Sequence, residues 1–414
     1  MCNVEYKVKA LGCKFGGMKI GILREEKIPI DRRVPLLPHH CVELQEQYGC
    51  SVVVQPSKVR AIQEAEYTAV GIQMQEDLSD CDVLLGVKEV PVDCLIPGKT
   101  YFFFSHTYKE QPYNAKLLRA IVDQGISLVD YELLEDASGH RVVAFGRYAG
   151  LVGAYNTLRG LGQDTGNWAL KPAHECHDLK DMWSQLTVNW PSDLRIVLTG
   201  KGRVGNGAAE TLRAAGIPEV SPTDFLANTT AGPVYTQIDS CSYYARKDGG
   251  SYNKAELYED PTLYESVFMK FAKSATVFIA GHYYDQRAAF IYSKEMANHP
   301  DNTIRYVGDV SCDIDGPVCT TVRPSTIDQP FYHYDPSTGA EGAQGIGVMA
   351  VDNLPCELPR DASSSFGDDL MKHVLPNLFN GDPEGMLANA TETNGDGLTE
   401  KFSYLEDYIK VNHG

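Results

Sequence analysis

Two cationic side chains stand just beyond the ends of consecutive apolar runs. Gly86-Val87-Lys88-Glu89 closes one run and Phe103-Phe104-Ser105-His106 closes the next. The stretch 89–100 between them is about the minimum length for a crossover joining parallel neighbours, which sends Lys88 and His106 to the same sheet edge. In open α/β sheets the carboxyl edge is where ligands bind. A lysine and a histidine placed together in a cleft suit proton transfer, because burial and mutual repulsion bring both pKa values down toward neutrality. Arg32, Arg33, Lys109, Gln111 and Arg141 fall past strand ends or in flanking loops of the same region. Guanidinium and ammonium groups so placed can fork carboxylates, which suits a polycarboxylate substrate.

A second constellation lies in the middle of the chain. Gly200-Lys201-Gly202-Arg203-Val204-Gly205 follows an apolar run ending at Thr199 and opens a helical pattern through Ala208, Leu212 and Ala215. The first glycine permits the tight turn, the second lets backbone approach a pyrophosphate, and the third permits close helix packing; the helix N-terminus adds partial positive charge. Asp224, 24 residues after Gly200, is expected near the end of the next strand, where a carboxylate accepts hydrogen bonds from an adenine ribose. Such an acid disfavours a 2′-phosphate and points to NAD. Ser221, Thr223, Lys201 and Arg203 lie close enough in sequence to keep NADP open.

Short β-type runs alternating with helix-permissive stretches must carry both constellations. The first series is 20–23, 52–54, 83–87, 101–104 and 126–129; the second is 194–198, 276–279 and 304–307. Alternation of this kind predicts βαβ units, and unbroken apolarity within each run predicts parallel strands covered on both faces. The expected fold is therefore α/β: two doubly wound Rossmann-like domains with parallel sheets and an interdomain active-site cleft. Residues 1–17 read as a leader or an extension, 18–147 as a substrate domain completed by 356–414, and 148–355 as the dinucleotide-binding domain. Residues 148–162 form a buried connecting helix in this reading, 358–378 a C-terminal amphipathic helix, 388–398 a surface loop and 235–261 an insertion.

Composition narrows the class. Over 414 residues, 37 Lys and Arg against 55 Asp and Glu leave a net charge of −18, the wrong sign for a nucleic-acid or anionic-membrane partner. The eleven cysteines include no CxxC pair, so free thiols in a reducing cytoplasm are expected. Apolar stretches run only four or five residues, far short of a bilayer span. His174-Glu175-Cys176-His177 and His39-His40-Cys41 lack a matched second cluster or helical ligand spacing, so no metal site is expected. Neither a GxSxG elbow nor a P-loop is present. Whether the chain forms a homo-oligomer is open at this level.

The chain also resembles a known family, the lysine-2-oxoglutarate reductases or lysine-forming saccharopine dehydrogenases, within the alanine dehydrogenase and transhydrogenase superfamily. The resemblance is carried by 26–35 with its paired arginines, 62–71, 75–79, Gly86-Val87-Lys88, 99–107, 141–146, 308–311, and 352–355 with Leu358-Pro359. Segments 334–347 and 397–401 are most similar to the reductase half of the bifunctional lysine-degrading enzyme. The resemblance implies interconversion of lysine plus 2-oxoglutarate plus NAD(P)H with saccharopine, water and NAD(P)+. It implies Lys88 and His106 as the acid and base pair, and Arg33, Lys109, Gln111 and Arg141 as holders of substrate carboxylates. Asp352, and secondarily Asp309, would lie near the cofactor. Related opine or alanine-type dehydrogenases, and a non-catalytic dinucleotide-binding sensor, are the competing expectations.

Overall fold

The computed structural model describes residues 17–410, so sixteen of the seventeen residues read as a leader lie outside it. The chain divides into two units, one made of residues up to Ala144 together with Pro359 onward, the other of Phe145–Leu358.

The first unit holds a seven-stranded sheet of β1 (Lys19–Ile22), β2 (Ser51–Val54), β3 (Gln73–Met74), β4 (Val83–Leu85), β5 (Thr100–Phe103) and β6 (Ser127–Asp130), with β16 (Thr391–Asn394) added from the far end of the chain. The order is β16-β6-β5-β4-β1-β2-β3, and every pair is parallel except β16 against β6. Ile20, Ile22, Val83, Leu84, Leu85, Tyr101, Phe102 and Phe103 are fully buried, as expected of strands covered on both faces. One cover is the helix Ala115–Asp123, which buries Ala115, Leu117, Leu118 and Ile121. Phe402, Leu405 and Tyr408 from the C-terminal segment pack with Ala115 and Leu118. β1 has β2 on one side and β4 on the other, so chain order reverses between β1 and β4. A crevice for ligands opens at such a switch point.

The second unit repeats the scheme with β7 (Arg195–Thr199), β8 (Val234–Ile238), β11 (Val277–Ala280), β12 (Tyr306–Asp309) and β15 (Ile346–Met349), all parallel, and antiparallel β13 (Phe331–Asp335) and β14 (Ala340–Gly342) at one edge. The order β14-β13-β15-β12-β11-β7-β8 places its switch point between β7 and β11. A separate hairpin pairs β9 (Tyr244–Arg246) with β10 (Tyr264–Ser266). The buried helix Gly146–Thr165 lies where the 148–162 pattern predicts one.

Three expectations need correction. Residues 235–238 belong to β8, a fully buried strand of the main sheet, so only the stretch after it is an excursion. Residues 388–398 are not a plain loop, because they contain β16, whose Thr393 bonds into the β6 ladder at Leu128 and Ile126. Asp224 does not end a strand: it sits in the short helix Pro222–Ala227 ahead of β8, exposed and bonded to the Ser221 cap. No helix among the described residues is long and apolar enough to cross a membrane.

Candidate active site

The parallel register of β1, β4, β5 and β6 delivers Glu25, Lys88, Glu89, His106, Asp130 and Glu132 to one sheet edge. Glu25, just past β1, takes the Val87 and Lys88 amides on its two carboxylate oxygens at 2.7 and 2.9 Å, which fixes the turn presenting Lys88. Enclosure, reinforced by the nearby Asp31 charge, pushes the Glu25 carboxyl up to about 7 against those two amide bonds. Its folded pKa is thus above the unfolded value near 4.5, so the stability it lends is full below about pH 4.5 and is lost as pH rises to about 7. We expect the urea midpoint of the wild type to fall relative to that of Glu25→Gln across this window; parallel profiles would contradict the assignment.

Lys88 is partly buried, and its ammonium makes no side-chain hydrogen bond among the described residues. Burial first, then the Arg33 and Lys27 charges, lower its pKa, while Glu89 and Asp31 hold it up. Glu89 joins the pair: its Oε1 is 2.7 Å from His106 Nδ1 and its Oε2 accepts from Lys27 Nζ at 2.6 Å. Burial would raise the Glu89 carboxyl, yet the hydrogen bonds from His106 and Lys27 outweigh it and hold it at about 2. An ionised Glu89 accepts only, so Nδ1 of His106 is the donor and Nε2 is the nitrogen left for chemistry. His106 adopts a left-handed backbone, φ 57°, rare outside glycine.

The cations read as carboxylate holders divide. Arg33 is buried in an ion pair with Asp31, its Nη2 2.5 Å from Oδ2 and its Nε 3.0 Å from Oδ1. In this pairing Arg33 also acts electrostatically on Lys88, lowering its pKa. Lys109 Nζ, at 2.9 Å, and Arg141 Nη1, at 3.4 Å, converge on the same oxygen, Oε1 of Glu132. Burial would raise Glu132, but these cations, with His106, bring it down. Its other oxygen is buried without a hydrogen-bond partner among the described residues and faces His106 Nε2 at 4.0 Å. Gln111 lies nearby in sequence with its Oε1 accepting from Tyr113 at 2.5 Å.

In the second unit, Gly200 has φ +93°, and a Cβ there would fall 2.3 Å from the Gly281 carbonyl. A Cβ on Gly205 would fall 2.1 Å from the Gly200 carbonyl, whereas one on Gly202 would meet nothing within 4 Å. Turn and packing therefore require Gly200 and Gly205, and the open side of Gly202 is where a pyrophosphate fits. Gly202 caps the helix Arg203–Ala214, so Arg203 and Val204 form its first turn. This donor set, amides at a helix N-terminus with no side chain in the way, fits a dinucleotide. The acid at the end of the strand beside β7 is Asp239, whose carboxylate accepts from the Ser240 amide at 2.8 Å and from Lys254 at 3.2 Å. It replaces Asp224 as the ribose candidate; the signal available in sequence was the run 234–238 ending in an acid. Asp309 is wholly buried and accepts from Ser311, Cys312 and Thr321, an inward role that leaves Asp352, exposed past β15, as the accessible one of the two.

His39, His40 and Asp368 come within 4.8 Å of one another. His40 Nδ1 already accepts the Leu37 amide and Nε2 meets Asp368, so the cluster serves a helix start.

Residues 21–152 match the alanine dehydrogenase/PNT N-terminal domain family. Over 92% of its length the chain is 32% identical to the α-aminoadipic semialdehyde synthase of Arabidopsis thaliana, and over 94% it is 30% identical to the mitochondrial enzyme of that name from Mus musculus. It spans only 39% and 47% of those two proteins. A saccharopine dehydrogenase [NAD(+), L-lysine-forming] of Emericella nidulans is 27% identical over 85% of this chain and 90% of its own. Among solved structures, an L-alanine dehydrogenase superposes with a TM-score of 0.63 at 17% identity, covering 95% of this chain and 99% of its own. The transhydrogenase of Sinorhizobium meliloti follows at 0.58 and 15%, covering 92% and 98%.

Proposed function

We propose that this protein is an NAD(P)-dependent oxidoreductase interconverting lysine plus 2-oxoglutarate with saccharopine, a reading supported by the match of residues 21–152 to the alanine dehydrogenase/PNT N-terminal domain and by the similarity of most of the chain to α-aminoadipic semialdehyde synthases and saccharopine dehydrogenases. The observation that carries the reading is the anchoring of His106 Nδ1 on Glu89, the chain neighbour of Lys88, which leaves Nε2 and an ammonium of lowered pKa at one edge. Free thiols at each described cysteine suit a reducing compartment such as the cytoplasm.

In the reductive direction, Lys88 or His106 takes a proton from the substrate ε-ammonium, and the free amine adds to the ketone carbon. His106 Nε2 then protonates the carbinolamine hydroxyl, which leaves as water and yields an imine. A reduced nicotinamide dinucleotide held at the turn of residues 200–205 would supply the hydride that converts the imine to the secondary amine. Lysine, 2-oxoglutarate, NAD(P)H and one proton thus become saccharopine, NAD(P)+ and water. Lys109 and Arg141, gathered on Glu132, are the cations available to exchange that carboxylate for a substrate carboxylate. Proton transfer of this kind contributes about 10²- to 10⁴-fold in rate.

The test follows reduced cofactor in the presence of lysine alone, 2-oxoglutarate alone, then both. Consumption only with both is expected, and equal turnover with ammonium and pyruvate would overturn the substrate assignment in favour of alanine-type chemistry. An acid at Asp239 favours an unphosphorylated ribose, so NADH is expected to bind more tightly than NADPH. A lower Kd for NADPH would contradict that.

A further inference from the structure

We propose that Ser105, Thr107, Asp130 and Glu392 form a buried hydrogen-bonded chain that holds one carboxyl proton and positions His106. The inference rests on the reading of His106 as the acid–base group.

All four residues are fully buried. Three short oxygen contacts link them in series: Glu392 Oε2 to Thr107 Oγ1 at 2.6 Å, Thr107 Oγ1 to Ser105 Oγ at 2.6 Å, and Ser105 Oγ to Asp130 Oδ2 at 2.5 Å. Each contact needs a hydrogen, and the two hydroxyls supply only two. The third must sit on a carboxyl. Asp130 already accepts the Ser105 amide at 3.0 Å and the Glu132 amide at 2.7 Å, as an ionised carboxylate does. The proton therefore belongs on Glu392, which donates to Thr107, which donates to Ser105, which donates to Asp130. Two further contacts remain: Glu392 Oε1 to Ser105 Oγ, longer at 3.1 Å, and a direct hydrogen bond between the Glu392 and Asp130 carboxyls, which two ionised groups could not make.

Ser105 and Thr107 flank His106 directly. The Thr107 amide donates to Ser105 Oγ at 3.2 Å and Asn114 holds the Ser105 carbonyl at 3.0 Å, so both sides of the left-handed residue are tied to the chain. Glu392 comes from the opposite end of the sequence and is the extra residue of a bulge: Thr391 pairs with Val129 and Thr393 with Leu128. Bulges re-aim single side chains, and this one turns Glu392 toward β6 and the His106 turn. Burial first, then the Asp130 charge, raises the Glu392 carboxyl to about 8, and burial raises Asp130 as well. The other groups in range are Glu132, with Lys109, Arg141 and His106 around it, the hydroxyls of Tyr108, Tyr404 and Tyr408, and Glu110 beside the last two.

Glu392→Gln keeps a donor without a titratable proton, whereas Glu392→Leu removes it. With lysine, 2-oxoglutarate and reduced cofactor, the wild type is expected to lose turnover as pH rises through about 8, and E392Q is expected to keep near-wild-type turnover without that alkaline limb. E392L is expected to lose about 10²-fold in kcat, the scale of a small misplacement of a reacting group, with the cofactor Kd unchanged. Thr107→Val should behave as E392L does, with rescue by Thr107→Ser, which covers the case of a poorly folding E392L. A second readout needs no activity. A raised carboxyl pKa lends stability that is full below about pH 4.5 and is lost as pH rises to about 8, so the melting temperature of the wild type minus that of E392Q should fall across that window. Turnover of E392Q as poor as that of E392L, a retained alkaline limb, or a flat melting difference would each overturn the proton assignment. A wild type inert toward lysine and 2-oxoglutarate with a falling melting difference would instead overturn the reaction and leave the proton chain standing.

Discussion

Replacing Lys88 with Met, or His106 with Ala, is expected to lower kcat by about 10²- to 10⁴-fold, the usual contribution of one positioned acid or base, while the Kd for NADH stays at the wild-type value. The separation follows from topology: both residues project from β4 and β5 of the first unit, and the glycine loop belongs to the second. Lys88 makes no side-chain hydrogen bond among the described residues, so K88M removes a charge without breaking a bonded pair. His106→Ala is different, because it leaves Glu89 with Lys27 as its partner. Steady-state turnover and fluorescence titration of NADH check both variants. Unchanged turnover in the two would refute the acid and base assignment, and a lost affinity for NADH would show that the effect is global.

Gly150→Ala is expected to abolish NADH binding and to destabilise the second unit by more than the ~1–3 kcal/mol usual for overpacking. The helix Gly146–Thr165 meets the helix Arg203–Ala214 so closely that a Cβ on Gly150 would lie 1.9 Å from the Val204 carbonyl oxygen and 2.7 Å from the Ala208 amide. On the facing side, a Cβ on Gly207 would lie 2.1 Å from the Arg147 carbonyl. These are backbone atoms on both helices, so no side chain can turn away to make room. Displacing the second helix moves Gly202 and Gly205 with it and disrupts the turn at its N-terminus. Gly202→Ala is the matched control, since its Cβ meets nothing: it should melt like the wild type and weaken NADH binding alone. Thermal unfolding together with the NADH titration separates the two, and a G150A protein with wild-type melting and affinity would contradict the close crossing.

How much of this was legible beforehand differs from element to element. Lys88 and His106 could be sent to one edge because the runs 83–87 and 101–104 are continuous, as strands covered on both faces are, and the link between them just reaches the length a parallel crossover needs. The glycine loop could be weighed by what precedes and follows it. β8 was obscured because a strand reading Val-Tyr-Thr-Gln-Ile carries two polar residues, and Gln237 is kept buried by a bond to the Gly200 carbonyl at 2.8 Å that no local pattern announces. Asp224 falls short of a strand end because the helix Pro222–Ala227 intervenes before β8 and defeats a spacing rule drawn from shorter connections. That Arg33 is buried against Asp31, two positions earlier, is a tertiary fact, because adjacency in sequence says nothing of a buried ion pair.

The amino-acid order alone determined the parallel strands of the two sheets, the edge to which the lysine and histidine go and the glycine turn that opens the helix Arg203–Ala214. Each depends on apolar periodicity or backbone freedom within some ten to twenty neighbouring residues. The tertiary structure alone decided which carboxylate faces which cation, and above all that Glu392, 287 positions beyond Ser105, supports the His106 turn. A charge acts over a few ångströms through space, and a protein interior brings within that range side chains that no sequence spacing relates.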